Sequence, residues 1–482
     1  MASKLFNRGF KKPDQVLKNK AIIQREGHKR PSDVAITLDP QQEEIVFSDK
    51  PNILVAAGAG SGKTRVLTER IKHLVSIGVN PSGIVAITFT NMAAEELKER
   101  LSSLDNIGDA FIGTIHSFAN KIMQNSDEEY TIYNDSLDIE YHRYLIERYC
   151  HKLTFTRYLE FKDIRDDVEM GRADESAMKG FLASSERAEL QIIERSAKEL
   201  ASDTARWYTG TEIADVDDRD VLYPESVGTL CEDNNVIDFN QLLTLANDYF
   251  KTLGTRVEHL FVDELQDVGS LEWGFITGLN AVNTFFVGDD WQSIYGFKGG
   301  NVNIFLSLSR DPYYTTYFLT NNYRNCEQVL DLAHIVIEQV SYKLSKDVAV
   351  MSDVQGEVVI KTKAFLPHLI DIIDSTDDYR DWFVLVRTNQ ELFKINDVLT
   401  KGGIPCETFK RDGMTLSDMK KKLNRNSVKV LTVHTAKGLE AKNVVLYGRF
   451  PVYCPSYLNN EDERKVMYVG VTRAKERLYV LN

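Results

Sequence analysis

The chain has 482 residues, more than one ordinary domain holds, so two to four domains are expected. A hydrophobic share of 43% suits a soluble globular protein, and no apolar run reaches the length of a membrane span, which sets aside a helical membrane protein. The net charge of −13 argues against bulk affinity for nucleic acid but leaves room for a locally positive groove. The five cysteines, Cys150, Cys231, Cys326, Cys406 and Cys454, are too dispersed for a disulfide framework or a metal or iron–sulfur site, and reduced thiols in the cytoplasm are expected.

In chain order, residues 1–33 hold nine Lys/Arg against three Asp/Glu and no apolar signal core, so export is not expected. A solvated tail and a nucleic-acid or partner contact both remain open for this stretch. From Leu38 the pattern alternates between strand and helix: ILVAA, a helix to about Ser76, IVAITFT, a helix through AAEELKERL, then FIGTIHSF. That alternation predicts a parallel sheet covered by helices. Residues 126–236 carry long amphipathic segments such as YHRYLIERYCHKL, which predict a helical insertion. Strands resume with HLFVDE and NTFFVGDD, closing a first unit of residues 34–125 and 237–310. A second α/β unit is expected over 311–482, with strands YFL, GEVVIKT, DWFVLVRT, VKVLTVHT, NVVLYG and RLYVLN. The polar stretch KRDGMTLSDMKKKLNRNS reads as a loop or short helix.

Two motifs carry the chemistry. AGAGSGKT, from Ala57 to Thr64, lies between a strand and a helix. Backbone amides of such a loop surround phosphates, Lys63 reaches the β/γ oxygens and Thr64 offers its hydroxyl to Mg²⁺. The general pattern begins with Gly, where this chain has Ala57. HLFVDELQDVG then ends an apolar strand in adjacent carboxylates. Two such groups at a strand end are costly unless they serve a cation or a proton transfer. Asp263 suits Mg²⁺, and Glu264 suits orienting and deprotonating an attacking water.

Together these motifs resemble the superfamily 1 DNA helicases of the UvrD/Rep/PcrA type, and further motifs of that family follow in order from Leu38 to Lys475. The resemblance implies an α/β fold of two RecA-like P-loop domains with parallel sheets, the first carrying a helical insertion. It implies ATP and Mg²⁺ as cofactors, and single-stranded or tailed duplex DNA as partner. In LDPQQ it makes Gln42 the adenine contact, with Arg65 and, in NNYRN, Tyr323 on the two adenine faces. Ala59, Gly60, Ser61, Gly62, Lys63 and Thr64 hold the phosphates. Thr64 and Asp263 serve as metal ligands. Lys63, Asp263, Glu264, Gln292, Arg324 and Arg473 form the catalytic set, Gln292 sensing the γ-phosphate and the two arginines acting as fingers. Gly438 at the nucleotide edge and Glu440 on the ribose follow from TAKGLE. TFTNMAAEEL, GTIHSFA, VGDDWQSIYGFKGG and VLTVHTAKGLE place Phe89, Thr90, His116, Tyr295, Phe297, Lys298 and His434 at DNA. The family usually has Trp where Phe297 stands and often Arg where Lys298 stands, so stacking should be weaker here.

Lys63, Asp263 and Glu264 fall in the first unit and Arg324 and Arg473 in the second, so ATP is expected in a cleft that it closes. Aromatics suit the DNA side because stacking, about 1–3 kcal/mol per base, tolerates any sequence. Larger relatives carry a second insertion before VLTVHTAKGLE; here about twenty residues, 410–427, fill the interval, too few to bury a core. The chain also ends one strand after VTRAK, which leaves no room for a nuclease domain. The expected function is an ATP-dependent DNA helicase or single-strand translocase with 3′→5′ polarity. It would work in the cytoplasm of a bacterium or phage-infected cell, with control from the basic N-terminus, a protein partner or self-association. A motor subunit of a larger complex, a nucleotide-gated scaffold and a small-molecule kinase are the alternatives; the last has no use for DNA-facing aromatics.

Overall fold

The computed structural model describes residues 38–482 except 129, 133–145, 148–149, 170–180, 192, 194–235, 238, 297–298, 362–365, 374–377, 410–415, 449–459 and 482. The basic tail and most of the expected helical insertion therefore lie outside the described residues, as do Phe297 and Lys298. The chain divides into a larger unit, Met1–Phe118 with Phe250–Asn482, and a smaller one, Ala119–Tyr249.

The strands β1 (Asn52–Ala57), β2 (Ile84–Thr88) and β3 (Phe111–Thr114) come first, then the short β4 (Thr131–Ile132) and β5 (Val236–Ile237). β6 (His259–Val262), β7 (Asn283–Gly288), β8 (Thr315–Leu319), β9 (Asn321–Asn322), β10 (Ala349–Val350) and β11 (Glu357–Lys361) follow. The last are β12 (Trp382–Val386), β13 (Cys406–Thr408), β14 (Val428–Thr432), β15 (Ala441–Tyr447) and β16 (Ala474–Leu481).

The larger unit contains two six-stranded sheets, ordered β3-β2-β6-β7-β1-β8 and β11-β16-β15-β12-β14-β13. Every pairing in both is parallel. Helices on both faces make this possible, and the strands accordingly read as unbroken apolar runs: β1, β2 and β12 are buried at every position. These are the two RecA-like sheets that the sequence predicted. Each has its own core, one around Val55, Ile71 and Phe285 and the other around Val384, Ile395 and Val430. A third cluster runs from Ala59 and Trp291 through the helix Glu327–Glu338 to Leu446 and Leu478, joining the two sheets.

The strand order positions the site. β6, β7 and β1 are neighbours, with Val262 opposite Phe286 and Ala56 opposite Gly288. The loops leaving their C-terminal ends therefore emerge side by side at one edge, where parallel sheets bind ligands. One expectation is corrected here. The strand YFL was expected in the second unit, but β8 pairs with β1, Leu319 opposite Ala57, and edges the first sheet. The boundary expected at 310 falls before a strand that docks on β1. The second sheet gains β13 instead, a short strand not among those expected. In the interval 410–427 the described part holds the helix Leu416–Leu423, whose Met419 is buried in the cluster joining the sheets.

The smaller unit has the parallel pair β4–β5, the helix Phe155–Glu169 and a core of Ile146, Leu153, Tyr158, Leu182, Leu190 and Ile193. The Glu189 carboxylate accepts the backbone N–H groups of His151, Lys152 and Leu153, and these outweigh its burial and hold its pKa below the usual range. Among the described residues no helix is long and apolar enough to cross a membrane.

Candidate nucleotide and nucleic-acid site

After β1 the chain turns through Gly58 to Gly62 and enters the helix Lys63–Ser76. The turn needs glycine at two positions. Gly60 has φ 65° and Gly62 φ 87°, a left-handed conformation that side chains rarely adopt. A Cβ at Gly60 would lie 2.7 Å from Arg324 Cβ, and one at Gly62 would lie 2.9 Å from Gln42 Nε2. Side chains brace the loop from outside. Ser61 Oγ donates to Gly58 O (2.8 Å), Asn322 Nδ2 to Ala59 O (2.8 Å) and Gln42 Nε2 to Ser61 O (3.2 Å). Gln42 is fixed in turn by a capping box with Asp39. Loop amides and the N-terminus of a 14-residue helix thus face one small space, suited to phosphate oxygens. Tyr323 donates its N–H to Gly60 O (3.1 Å) and its hydroxyl to Asp39 (2.6 Å), while its ring stays 45% exposed. Burial and the Asp39 carboxylate push the Tyr323 phenol up, and the charge of the exposed Arg65 opposes that rise only in part.

Asp263 continues β6 by donating its N–H to Ile87 O (2.9 Å), and its Oδ1 accepts the N–H of Glu264 (2.9 Å). Glu264 has φ 54°, which for a non-glycine residue costs about 1 kcal/mol or more. Its carboxylate receives three groups: Lys63 at 3.6 Å, Gln266 Nε2 at 2.5 Å and Lys437 at 3.8 Å. Burial favours the neutral acid at both members of this pair. At Asp263 burial and the Glu264 charge win, and its pKa rises; at Glu264 the Lys63 and Lys437 ammonium groups outweigh burial, and its pKa falls. Glu264 therefore carries the charge.

The second sheet supplies the opposing wall. Lys437, in the turn after the helix Val433–Ala436, reaches into the first sheet's edge to Asp267 and donates to Gln292 O at 3.0 Å. Arg473, 1% exposed, immediately precedes β16 and donates from Nη2 to Gln292 Oε1 at 3.0 Å. Burial and the neighbouring Arg324 charge pull the Arg473 pKa down. Arg324 lies between β9 and the helix Glu327–Glu338, beside Gly60, and its Nε donates to Glu440 Oε2 at 2.6 Å. Lys475 holds the other Glu440 oxygen at 2.6 Å, so this carboxylate is pulled down to about 2 against its burial. Gly438, at φ 83°, links Lys437 to that segment.

The aromatic residues gather beyond this wall. Phe89, 41% exposed, stacks on Tyr295 with centroids 5.3 Å apart and planes 24° from parallel. Tyr295 meets the His434 ring at 5.9 Å and donates its hydroxyl to His434 O (3.2 Å), while Lys437 Nζ lies 5.1 Å from its centroid. Thr90 caps the helix Asn91–Leu101 by accepting from Ala93 N–H (3.2 Å). His116 lies on the helix Ile115–Met123, where burial lowers its pKa against the pull of Glu272.

The donor set fits a nucleotide with Mg²⁺. Thr64 and Asp263 offer the hard oxygens that this ion prefers, and Gly60 and Gly62 let the loop close against Arg324 and Gln42 with no Cβ between them. Three contributors went unremarked in the sequence. Lys437 and Asn322 lie inside motifs whose neighbours drew attention, and Asp267 is the last residue of DELQD. Their signal was motif membership; their partners became visible only in the fold.

Comparison with known proteins matches two stretches of the chain. Residues 38–313 match the UvrD/REP helicase N-terminal domain and residues 410–482 the UvrD-like helicase C-terminal domain. The ATP-dependent DNA helicase PcrA of Leuconostoc citreum is 29% identical over 394 residues, covering 76% of this chain and 49% of that protein. The probable DNA helicase of Mycoplasma pneumoniae is 27% identical over 482 residues, covering 92% and 83%. The putative ATP-dependent DNA helicase YjcD of Bacillus subtilis is 27% identical over 388 residues, covering 77% and 48%. The chain thus spans about half the length of the first and third of these relatives.

Proposed function

Because the chain belongs to the UvrD/Rep helicase family, we propose that it is an ATP-dependent DNA motor that moves 3′→5′ on single strands and opens tailed duplexes. One observation carries this reading: groups from both sheets converge on the phosphate loop and its carboxylates, Arg473 meeting Gln292 and Lys437 meeting Asp267. A cleft lined in this way ties nucleotide occupancy to the relation between the sheets.

In this reading the residues take the roles that the family resemblance implies. Lys63 and the amides of Ala59 to Thr64 hold the β- and γ-phosphates. Gln42 reads the adenine edge, Arg65 and Tyr323 flank its ring, and Glu440 with Gly438 meets the sugar side. Thr64 and Asp263 hold Mg²⁺, which when bound offsets phosphate charge. Lys63, on turning to phosphate, leaves Glu264 freer to orient a water and take its proton. Arg324 and Arg473 spread charge off the transferring group, and Gln292 senses whether that group is present. On the DNA side Phe89, Tyr295 and Phe297 stack on bases, while Thr90, His116, Lys298 and His434 contact the strand. Such a motor would act on DNA in the cytoplasm.

The test compares 3′-tailed, 5′-tailed and blunt duplexes with and without ATP. Strand separation of the 3′-tailed duplex alone, and only with ATP, is expected. Preference for the 5′ tail would overturn the polarity, and phosphate release indifferent to DNA would overturn the motor. A second reading, a translocase working within a larger complex, draws support from the helix Leu416–Leu423, which stands where larger relatives carry an insertion domain. Single-strand translocation without strand separation would favour it.

A further inference from the structure

Lys346 follows the helix Glu327–Glu338 and precedes β10, outside every motif in the sequence. Its side chain is wholly buried. The ammonium group has three donors, and three acceptors take them: Ala57 O at 2.9 Å, Asp289 Oδ1 at 2.6 Å and Asp290 Oδ1 at 2.8 Å. The Trp291 ring centroid lies 4.5 Å away. Both carboxylates are fully buried as well. A buried cation with every donor used is placed within a few tenths of an ångström, and its partners with it.

Asp289 is the branch point. Its Oδ1 also accepts the N–H of Trp291 (3.1 Å), and its Oδ2 accepts from Gln292 Nε2 at 2.6 Å. The other end of that amide, Gln292 Oε1, accepts from Arg473 at 3.0 Å. A continuous path thus runs from the carbonyl of Ala57, where the phosphate loop begins, through Lys346, Asp289 and Gln292 to Arg473. The chemistry of the path is directional. An ionised carboxylate accepts and cannot donate, so beside it the Gln292 amide must turn its NH₂ inward and its carbonyl toward Arg473. Without the ammonium group the Asp289 carboxylate would lose the charged partner that holds Oδ1, and the Gln292 amide would lose the fixed acceptor that sets its orientation.

We propose that Lys346 is a positioning residue that keeps Asp289 an acceptor and so sets the orientation in which Gln292 faces Arg473 and the nucleotide. Through Ala57 the same ammonium group ties that orientation to the phosphate loop. This rests on the reading of Gln292 as the group that senses the γ-phosphate.

The test uses the full chain. Lys346→Met should lower the DNA-stimulated kcat for ATP roughly ten-fold, while mant-ADP affinity stays within about three-fold. Adding Gln292→Ala to Lys346→Met should cost nothing more, because the first change already misplaces that amide. Lys346→Met leaves the two buried carboxylates with only the Lys465 charge, to which neither is hydrogen-bonded among the described residues, and can impair folding. The pair Lys346→Met with Asp290→Asn removes one charge of each sign, keeps the buried balance, and should still show the low kcat. Wild-type kcat in that pair, or additive losses from Lys346→Met and Gln292→Ala, would overturn the proposal. Urea midpoints of the same proteins give a readout free of activity. If the wild type fails to hydrolyse ATP, the functional reading falls, and the Lys346 proposal stands or falls on whether the two midpoint shifts add.

Discussion

Arg324 and Glu440 are joined by a 2.6 Å hydrogen bond between guanidinium and carboxylate, with Lys475 on the other carboxylate oxygen. The arginine assigned to the γ-phosphate and the carboxylate assigned to the sugar thus occupy one another. On the proposed roles each would trade its partner for the nucleotide, making binding and charge rearrangement one event. Arg324→Ala should lower kcat for ATP hydrolysis by about 10³ or more. Arg324→Lys should recover little of it, because a point charge cannot supply the planar fork. Steady-state phosphate release with saturating single-stranded DNA checks both.

Glu264 is held by Lys63, Lys437 and Gln266. Glu264→Gln should abolish turnover and leave nucleotide binding within a few-fold, whereas Lys63→Ala should lose both. Binding of mant-ADP measured beside phosphate release separates the two outcomes. Full turnover in either variant would contradict the assignment.

Phe89 and Tyr295 stack on each other. A base entering between them replaces one aromatic face with another, so the two rings act as one platform. Each alanine substitution should weaken single-strand affinity by about 1–3 kcal/mol. The double substitution should cost less than the sum of the two. Titration of a labelled oligonucleotide gives the cycle, and strict additivity would dissolve the platform.

His434 is kept neutral. Burial lowers its pKa from 6.5 to about 4, with the Arg387 charge adding to the fall and Glu463 opposing it. A folded-state pKa below the unfolded value means that the unfolded chain takes up the proton first. Stability is therefore whole above pH 6.5 and is lost as the pH falls from 6.5 toward 4. By pH 5 this one group should cost about 2 kcal/mol. Urea unfolding of wild type and His434→Gln at pH 7.5 and pH 5 checks the sign: the acid loss should be smaller in the variant.

The helix Leu416–Leu423 spans to the first sheet's covering helix through Lys420 and Glu99, 2.5 Å apart and both about half exposed. An exposed pair of this kind is worth about 0–1 kcal/mol. Lys420→Ala should move the urea midpoint hardly at all, and raising salt should have a similarly small effect.

Much of the site was legible because its residues cluster in short segments. A turn that wraps phosphate needs glycines at fixed offsets from Lys63 and Thr64, and a metal-side carboxylate needs the end of a buried strand. Both constraints are local, so both left marks along the chain. The strand β8 shows where local reading fails. Its sequence suits either sheet, and only the docking of Leu319 opposite Ala57 assigns it. Lys346 shows the same failure in the site. Lys346, the second lysine of the polar segment SYKLSKD, carries no periodicity and no motif, and its burial against Asp289 and Asp290 joins positions 57 and 56 apart in the chain.

By itself, then, the sequence determined the two parallel α/β sheets, the phosphate loop, the carboxylate pair and the family. Apolar runs and glycine offsets are constraints between near neighbours, and near neighbours are what a sequence records. Tertiary structure decided the pairings between distant segments: Arg324 with Glu440, Lys437 with Asp267, Arg473 with Gln292, and Lys346 with Asp289 and Asp290. A buried charge must be met by an opposite charge or a hydrogen bond. Which group meets it depends on how the sheets come together in space, and no spacing along the chain encodes that.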